Sequence, residues 1–313
     1  MTRVNGQDQI EGALRGAIIA LGNFDGFHLG HQAVAGRAMA IARELGAPAI
    51  IATFDPHPVR HFQPDAPPFR LTTLDQRERL FTAAGADAMM VYHFDGELAA
   101  VTASDFITDW LIHRAGARGV VTGEDFTFGK GRGGSTALLH AEGEKRGLIV
   151  ETVGPVTDGE GVISSSRIRD ALRDGDCALA ARLLTRPFAI EGAVQHGAKL
   201  GRTIGMPTAN IVLGTYLRPK YGIYAVRGRL PDGRLVNGAA NLGIRPSFDP
   251  PVELLETFFF DFSEDLYGQT LEIELIAYLR PEAKFDSLDA LTAQMQADCE
   301  QARQILADPP ILA

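Results

Sequence analysis

The sequence has few cysteines and no long apolar run. Its two cysteines, Cys177 and Cys299, lie far apart and outside any CxxC-type spacing, which argues against a disulfide framework and a zinc site. No apolar run approaches the roughly 20 residues that cross a bilayer. Residues 1–16 contain no continuous apolar stretch that could form the core of a secretory signal. We therefore expect a cytoplasmic protein.

Positive charge is also scarce. Lysine and arginine number 30 against 39 aspartates and glutamates, which gives a net charge of −9 and disfavours bulk attraction to nucleic acid or anionic lipid. We expect small-molecule substrates, no nucleic-acid partner and no membrane partner, with any phosphate bound at a local site. The sequence is compatible with an oligomer but does not specify one.

The length and composition indicate two folded domains. The chain has 313 residues, about twice a typical ~150-residue domain. Hydrophobic residues make up 45% and charged residues 22%, as in soluble globular proteins. A change of pattern near residue 186 predicts domains at 1–186 and 187–313.

The first half alternates short apolar runs with helical stretches. Runs that are apolar on both faces and separated by helices are typical of a parallel sheet covered on both sides. We predict an α/β doubly wound domain. Its predicted strands are 17–21, 47–54, 88–94, 119–123 and 148–154, and its predicted helices are 31–44, 74–84, 104–115 and 136–146.

Two further helices are predicted before the boundary, at 166–173 and 176–184. From Phe188 the pattern changes. Short strands separated by Gly, Pro and Asp-Gly turns then follow one another, which is typical of a small antiparallel β-barrel. A C-terminal helix at 287–306 would pack on it. The predicted strands are 188–197, 208–213, 222–230, 234–243, 254–262 and 270–280.

The segment GNFDGFHLGH lies where the first predicted strand passes into its helix. Ligands of open parallel sheets bind beyond the carboxyl ends of the strands, and glycines and a helix start let the backbone approach an anion. The spacing of His28 and His31 puts both imidazoles on one side of the first turn, where they can stabilise charge on a phosphate. If the attacking group is itself a phosphate, no nucleophile needs activation. The pattern therefore favours adenylyl transfer over phosphoester hydrolysis.

This segment resembles the HxGH signature of the nucleotidyltransferase superfamily, in the form found in bacterial bifunctional riboflavin kinase/FAD synthetases. The second signature, ISSTxxR, appears here as ISSSRIR at 163–169, with serine in place of threonine. The resemblance implies that this motif holds the β- and γ-phosphates of ATP, a task that suits hydroxyls, a helix start and a guanidinium group. The implied ATP-binding residues are Gly22, Asn23, Phe24, Asp25, Gly26, Ser165, Ser166 and Arg169.

Two loops between these signatures resemble the family as well. TFDPHP (53–58) and GEDFTFGKGRGG (123–134) follow the second and fourth predicted strands and so lie at the same sheet edge. The second is not a P-loop, because no Ser or Thr follows Lys130. By composition alone, such loops fit a structural role equally well. The flavin-binding residues that the resemblance implies are Phe54, His57, Pro58, Asp125 and Phe128.

The second half contains another glycine-rich segment, HGAKLGRTIGMPTANI. Thr208 and Asn210 alternate along a predicted strand and so face one side, where a hydroxyl and an amide oxygen suit Mg²⁺. The residues alone leave a structural turn as the alternative. GRTIGMPTAN is similar to the PTAN motif of the riboflavin kinase fold, with methionine where phenylalanine is usual. The implied ATP and Mg²⁺ ligands are Gly197, Gly201, Gly205, Thr208 and Asn210, with Thr208 and Asn210 on the metal.

NLGIRPSF (241–248) and LLETFFFDFSEDLYG (254–268) resemble two more stretches of that fold. The resemblance makes Glu256 the general base that takes the proton of the riboflavin 5′-hydroxyl. Its apolar neighbours predict partial desolvation, which strengthens a carboxylate as a base; an outward-facing acid is the alternative. Phe258 stands where the family commonly has histidine, and Ser247 where it has threonine.

The resemblance covers nearly the whole chain and implies two active sites. The barrel would phosphorylate riboflavin with ATP to FMN, and the N-terminal domain would adenylylate FMN with a second ATP to FAD and pyrophosphate. Mg²⁺ is expected at both sites, and the flavins are substrates and products. Two alternatives stay open: a single-activity enzyme in which one module is only a scaffold, and a non-catalytic flavin sensor.

Overall fold

The structure, a computed structural model, describes residues 1–196, 206–245 and 252–307. Contacts divide the chain into two units, one of Met1–Pro67 and Leu74–Ser164, the other of Pro68–Thr73 and Ser165–Ala313. The helical segment before residue 186 thus packs with the second unit. The functional division at residue 186 stays a prediction, because contacts alone do not assign activities.

The first unit is built on a six-stranded parallel sheet, as the alternating pattern predicts. The order of strands across the sheet is β1-β4-β3-β2-β5-β8. β2 is one of the interior strands, and all of its residues are buried. β1 was not predicted, because it is a short polar strand at the sheet edge. The strands are β1 Thr2–Asn5, β2 Ile18–Leu21, β3 Ala49–Asp55, β4 Ala88–His93, β5 Gly119–Gly123 and β8 Ile149–Val153, with a small separate pair, β6 Thr127–Phe128 and β7 Gly134–Ser135.

Helices cover both faces of this sheet and enclose two apolar clusters. One predicted helix differs in type: Phe106–Arg114 is π-helical, and the Ala115 N–H donates to the Trp110 carbonyl five residues back. Apolar spacing does not distinguish this winding from an α-helix. The α-helices are α1 Leu29–Leu45, α2 Pro58–Phe62, α3 Leu74–Ala84, α4 Gly96–Ala100, α5 Ala103–Asp105 and α6 Thr136–Arg146, with 3₁₀ turns at Gly12–Leu14 and Lys130–Arg132.

The second unit contains the antiparallel barrel. Its strand order is β10-β13-β12-β11-β14-β9, and a bridge between Gln195 and Asn210 nearly closes the gap between the outer strands. Helices α7 Ser165–Asp174 and α8 Cys177–Leu184 precede it, and α9 Leu288–Ala307 follows it. The strands are β9 Phe188–Ala193, β10 Ala209–Val212, β11 Gly222–Arg229, β12 Leu235–Arg245, β13 Val252–Phe259 and β14 Thr270–Arg280.

Helix α9 packs on one face of the barrel. Ala302 and Leu306 lie in one buried cluster with Ala225, Ala239 and Phe260 of the sheet side. The packing confirms the predicted C-terminal helix. Within the described ranges, no helix combines the length and the apolar character that crossing a membrane requires.

Candidate active site

The turn after β2 is wound tightly and held by aromatic packing. Phe24, Gly26 and Phe27 have φ values of 48°, 88° and 44°, a region that only glycine adopts without strain. The rings of Phe24 and Phe27 are buried and meet the Phe81 ring of α3 edge to face, at centroid distances of 5.9 and 4.9 Å. Apolar packing therefore offsets the backbone strain of this turn.

His28 is the N-cap of α1. Its Nδ1 accepts a hydrogen bond of 3.1 Å from the Gly30 N–H, and the side chain is 5% exposed. Because Nδ1 serves as an acceptor, the proton of the neutral ring lies on Nε2. The helix start thus orients an imidazole whose Nε2 is a hydrogen-bond donor.

His31 stacks on His28. The two ring centroids are 3.7 Å apart at an interplanar angle of 23°, and Phe24 contacts the His31 ring edge to face at 5.3 Å. A Cβ placed on Gly30 would lie 3.1 Å from the His28 ring and 3.4 Å from the Ile163 carbonyl oxygen. The start of ISSSRIR therefore lies against the HxGH turn within the first unit, and only a glycine fits between them without displacement.

The remaining predicted phosphate ligands belong to the second unit. Ser165 and Ser166 begin α7. The Nε of Arg169 donates to the Phe69 carbonyl at 2.8 Å, and its guanidinium carbon lies 5.4 Å from the centre of the Phe69 ring. Both residues are in the second unit, so the segment Pro68–Thr73 orients Arg169 there.

The predicted flavin residues fall into two groups. Phe54 and Phe128 are mostly buried in one apolar cluster, where Phe54 stacks on Tyr92 at 5.5 Å and Phe128 contacts Phe106 at 5.7 Å. His57 caps α2, with Nδ1 accepting from the Val59 N–H at 3.2 Å, and Pro58 is the first residue of that helix. Asp125 is exposed on the loop after β5. The two phenylalanines therefore belong to the apolar core next to these loops.

Arg77, on α3, is a residue of this region that the sequence reasoning missed. Its guanidinium is buried and donates to the Asn23 carbonyl and to the Thr53 hydroxyl. A single arginine in an amphipathic helix carries no motif. The signal that could have revealed it is a basic residue at a position of α3 that lies on the buried side of the helix.

In the barrel, Glu256 lies on β13 between two asparagines. The strand registers pair Glu256 with Asn210 of β10 on one side and with Asn241 of β12 on the other. Directly opposed residues share a face and lie about 4.5–5.5 Å apart at Cα. Glu256 is half-buried. A carboxylate thus lies between two amide groups in one row across the sheet.

The amide of Asn210 has a defined orientation. The side chain is 3% exposed, and its Nδ2 donates to the Thr208 carbonyl at 3.4 Å. Among the described residues, its buried Oδ1 has no hydrogen-bond partner, nor does the buried Oδ1 of Asn241. Buried acceptors of this kind normally find a donor or a cation. Thr208 precedes β10, which begins at Ala209; the predicted strand started one residue too early. Gly197, Gly201, Gly205 and Ser247 lie outside the described residues.

Comparison with known proteins finds relatives for both halves of the chain. A family model for FAD synthetase matches residues 10–167, and a family model for riboflavin kinase matches residues 184–306. A bifunctional riboflavin kinase/FMN adenylyltransferase from Haemophilus influenzae is 39% identical over 97% of this chain and 98% of its own length. The chain belongs to the bifunctional riboflavin kinase/FMN adenylyltransferase family.

Other members of this family match at similar identity. The proteins of the same name from Escherichia coli K12 and Bacillus subtilis are each 38% identical, over 92% and 91% of this chain respectively and the same shares of their own lengths. A crystal structure described as a macrolide-efflux protein from Streptococcus pneumoniae has a TM-score of 0.86 at 32% identity, covering 97% of this chain and 99% of that one. This chain therefore matches these relatives over nearly their whole lengths, and both of its parts are included in the match.

Phe258, where the resemblance led us to expect histidine, has a packing role. It is two residues after Glu256 on the same face and packs against the apolar cluster that includes Ala302 and Leu306 of α9. Its ring also meets Phe260 edge to face at 6.1 Å. In this family member, the position thus joins the apolar layer between sheet and helix.

Proposed function

We propose that the family's two reactions are carried out at the two sites described above. The chain phosphorylates riboflavin to FMN and adenylylates FMN to FAD, in agreement with the family models that match its two halves. The observation that carries the assignment is the pair of chemically different constellations, stacked histidines at a parallel-sheet edge and a carboxylate between asparagines in a barrel.

In the adenylyl transfer, an FMN phosphate oxygen attacks the α-phosphorus of ATP. A P–O bond forms, the bond between the α-phosphorus and the bridging oxygen breaks, and pyrophosphate leaves. We assign His28 and His31 to the oxygens on which negative charge grows, since His28 offers a donor at Nε2. Residues Gly22–Gly26 would bind ATP, with Ser165, Ser166 and Arg169 on its outer phosphates.

The flavin of this reaction is assigned to the two loops at the same sheet edge. β3 and β5 flank β2 in the sheet, so the loops after them lie on either side of the HxGH turn. We assign Phe54, His57, Pro58, Asp125 and Phe128 to this pocket, the two phenylalanines as its apolar floor. This arrangement would bring the FMN phosphate towards the histidines.

In the kinase reaction, the riboflavin 5′-hydroxyl attacks the γ-phosphorus of ATP, and ADP leaves. We assign Glu256 as the base that takes the hydroxyl proton. Its half-buried position excludes part of the competing water. Asn210 and Asn241 on either side would limit the orientations of the substrate hydroxyl.

The residues present fit Mg²⁺ at the kinase site. Thr208 and Asn210 would hold it, because the buried Oδ1 of Asn210 is an oxygen ligand whose amide is already oriented by the Thr208 carbonyl. When bound, Mg²⁺ would neutralise charge on the phosphates of ATP. Gly197, Gly201 and Gly205 would complete the nucleotide site. We also propose a cytoplasmic location, where ATP is supplied.

The deciding experiment incubates the pure protein with riboflavin, ATP and Mg²⁺ and separates the flavins over time. We expect FMN to appear first and FAD to follow. FMN without FAD, or FAD only from added FMN, would identify a single-activity enzyme. Flavin binding without either product would identify a sensor.

A further inference from the structure

Arg77 is a buried cation next to the adenylyl-transfer site. Its side chain is 3% exposed, and it lies on α3, outside every motif of the sequence. Burying a guanidinium costs free energy unless charged or polar groups compensate it. Its partners therefore indicate what this residue does.

Those partners belong to the ends of two neighbouring strands. Nη1 of Arg77 donates to the Asn23 carbonyl at 3.2 Å and to the Thr53 Oγ1 at 2.7 Å. The Thr53 hydroxyl in turn donates to the same Asn23 carbonyl at 2.7 Å. Nη2 of Arg77 lies 3.8 Å from Oδ1 of Asp55. One side chain thus joins the turn after β2 to the end of β3.

These two segments carry the two proposed substrates. Asn23 lies in the proposed ATP-binding turn Gly22–Gly26. Asp55 is the last residue of β3 and leads into the loop that reaches His57 and Pro58. A shift of either segment would change the distance between the FMN phosphate and the α-phosphorus of ATP. Bimolecular transfer is sensitive to such shifts, since a displacement of about 1 Å can cost about 100-fold in rate.

We propose that Arg77 is a positioning residue for adenylyl transfer, which holds the ATP-binding turn and the flavin-binding loop at a fixed separation through Asn23, Thr53 and Asp55. It does not touch the reacting atoms. The inference rests on the proposed adenylyl-transfer site. A planar guanidinium can bond several acceptors at once, whereas a lysine ammonium at the same position cannot keep this geometry.

The test measures FAD formation from FMN by the Arg77→Met and Arg77→Lys variants. We expect kcat to fall about 10- to 100-fold for Arg77→Met, with a smaller loss for Arg77→Lys, and KM for ATP and FMN to change less than kcat. FMN formation from riboflavin by the same molecules should stay within about twofold. Arg79→Met, the same change at an exposed position of α3, is the matched control.

A second pair of variants covers the case in which Arg77→Met does not fold. Thr53→Val removes the bridging hydroxyl with little change in volume, and Thr53→Ser restores it. We expect Thr53→Val to lower kcat of FAD formation about 10-fold and Thr53→Ser to recover most of it.

Wild-type kcat and KM in Arg77→Met or Thr53→Val, after correction for the folded fraction measured by circular dichroism, would overturn the proposal. A loss fully explained by the unfolded fraction would do the same, since it would make Arg77 merely structural. Failure of the proposed function is distinguishable, because the wild-type chain itself would then form no FAD.

Discussion

Asn210 and Glu256 are direct cross-strand partners in the barrel. β10 and β13 run antiparallel in a register that sets the two residues opposite each other, and the Asn210 amide is turned by its bond to the Thr208 carbonyl. Its oxygen and the carboxylate consequently share one face of the sheet. If the proposed roles hold, these strands fix the position of a Mg²⁺-binding oxygen next to that of the base, and such positioning is a main contribution of a protein to phosphoryl transfer.

Replacing Glu256 by glutamine should abolish FMN formation selectively. The amide keeps the size of the side chain but cannot accept the hydroxyl proton, so kcat should fall about 10²- to 10⁴-fold. The conversion of FMN to FAD should persist at the wild-type rate. Both rates are measured by separating flavins from one protein preparation. Loss of both activities in a folded protein would refute separate sites.

Replacing His28 or His31 should produce the opposite result. Removal of one preorganised donor typically costs about 10²- to 10³-fold in kcat. His28→Ala also removes the cap of α1, whereas His28→Asn keeps a side chain that can cap. We therefore expect His28→Asn to be as stable as the wild type yet deficient in FAD formation. Normal FAD formation by His28→Asn would exclude a role for the imidazole.

Replacing Asn210 by alanine should change the Mg²⁺ dependence of one reaction only. Loss of its oxygen should raise the Mg²⁺ concentration for half-maximal FMN formation by about 10-fold or more, since one ligand is missing. A Mg²⁺ titration of FAD formation by the same variant is the internal control and should match the wild type. Equal shifts in both titrations would contradict the assignment.

Replacing Asp298 by alanine should destabilise the barrel unit. Asp298 is buried on α9, accepts from Nε and Nη2 of Arg280 at 2.8 and 2.6 Å, and also accepts from Gln294 at 3.0 Å. Loss of these bonds should lower the free energy of unfolding by about 1–3 kcal/mol. The measurement is urea inactivation of riboflavin kinase activity, with Glu300→Ala on the same helix as control. An unchanged midpoint would show that this pair does not hold the helix.

The two cysteines should react poorly with alkylating reagents. Burial raises the pKa of Cys177 to about 12 and the pKa of Cys299 to about 11. Since the thiolate is the nucleophile, very little reactive species exists at pH 8. Cys177, which is 4% exposed in α8, should be modified only in denaturant, and Cys299 slowly in the native protein. Fast modification of both at pH 8 would contradict these environments.

Many secondary-structure elements of this protein follow from local patterns in its sequence. Apolar runs separated by helices predict the parallel sheet, because a strand buried on both faces must be apolar throughout. The helix over Leu74–Ala84 and the strand Thr270–Arg280 have the predicted bounds. The motifs similarly predict His28 and Glu256, since their chemistry is carried by short sequences whose residues are close along the chain.

Only the tertiary structure decided which distant residues meet. Glu256 is flanked by Asn241 because a strand register, set by the whole barrel, pairs them. Arg77 reaches Asn23 and Thr53 because α3 packs next to two strand ends that are far away in sequence. The π-helical winding of Phe106–Arg114 also escaped prediction. The sequence by itself determined most of the elements and the motifs from which their chemistry is predicted. Long-range packing and strand register determined their partners, since neither leaves a local periodic signal.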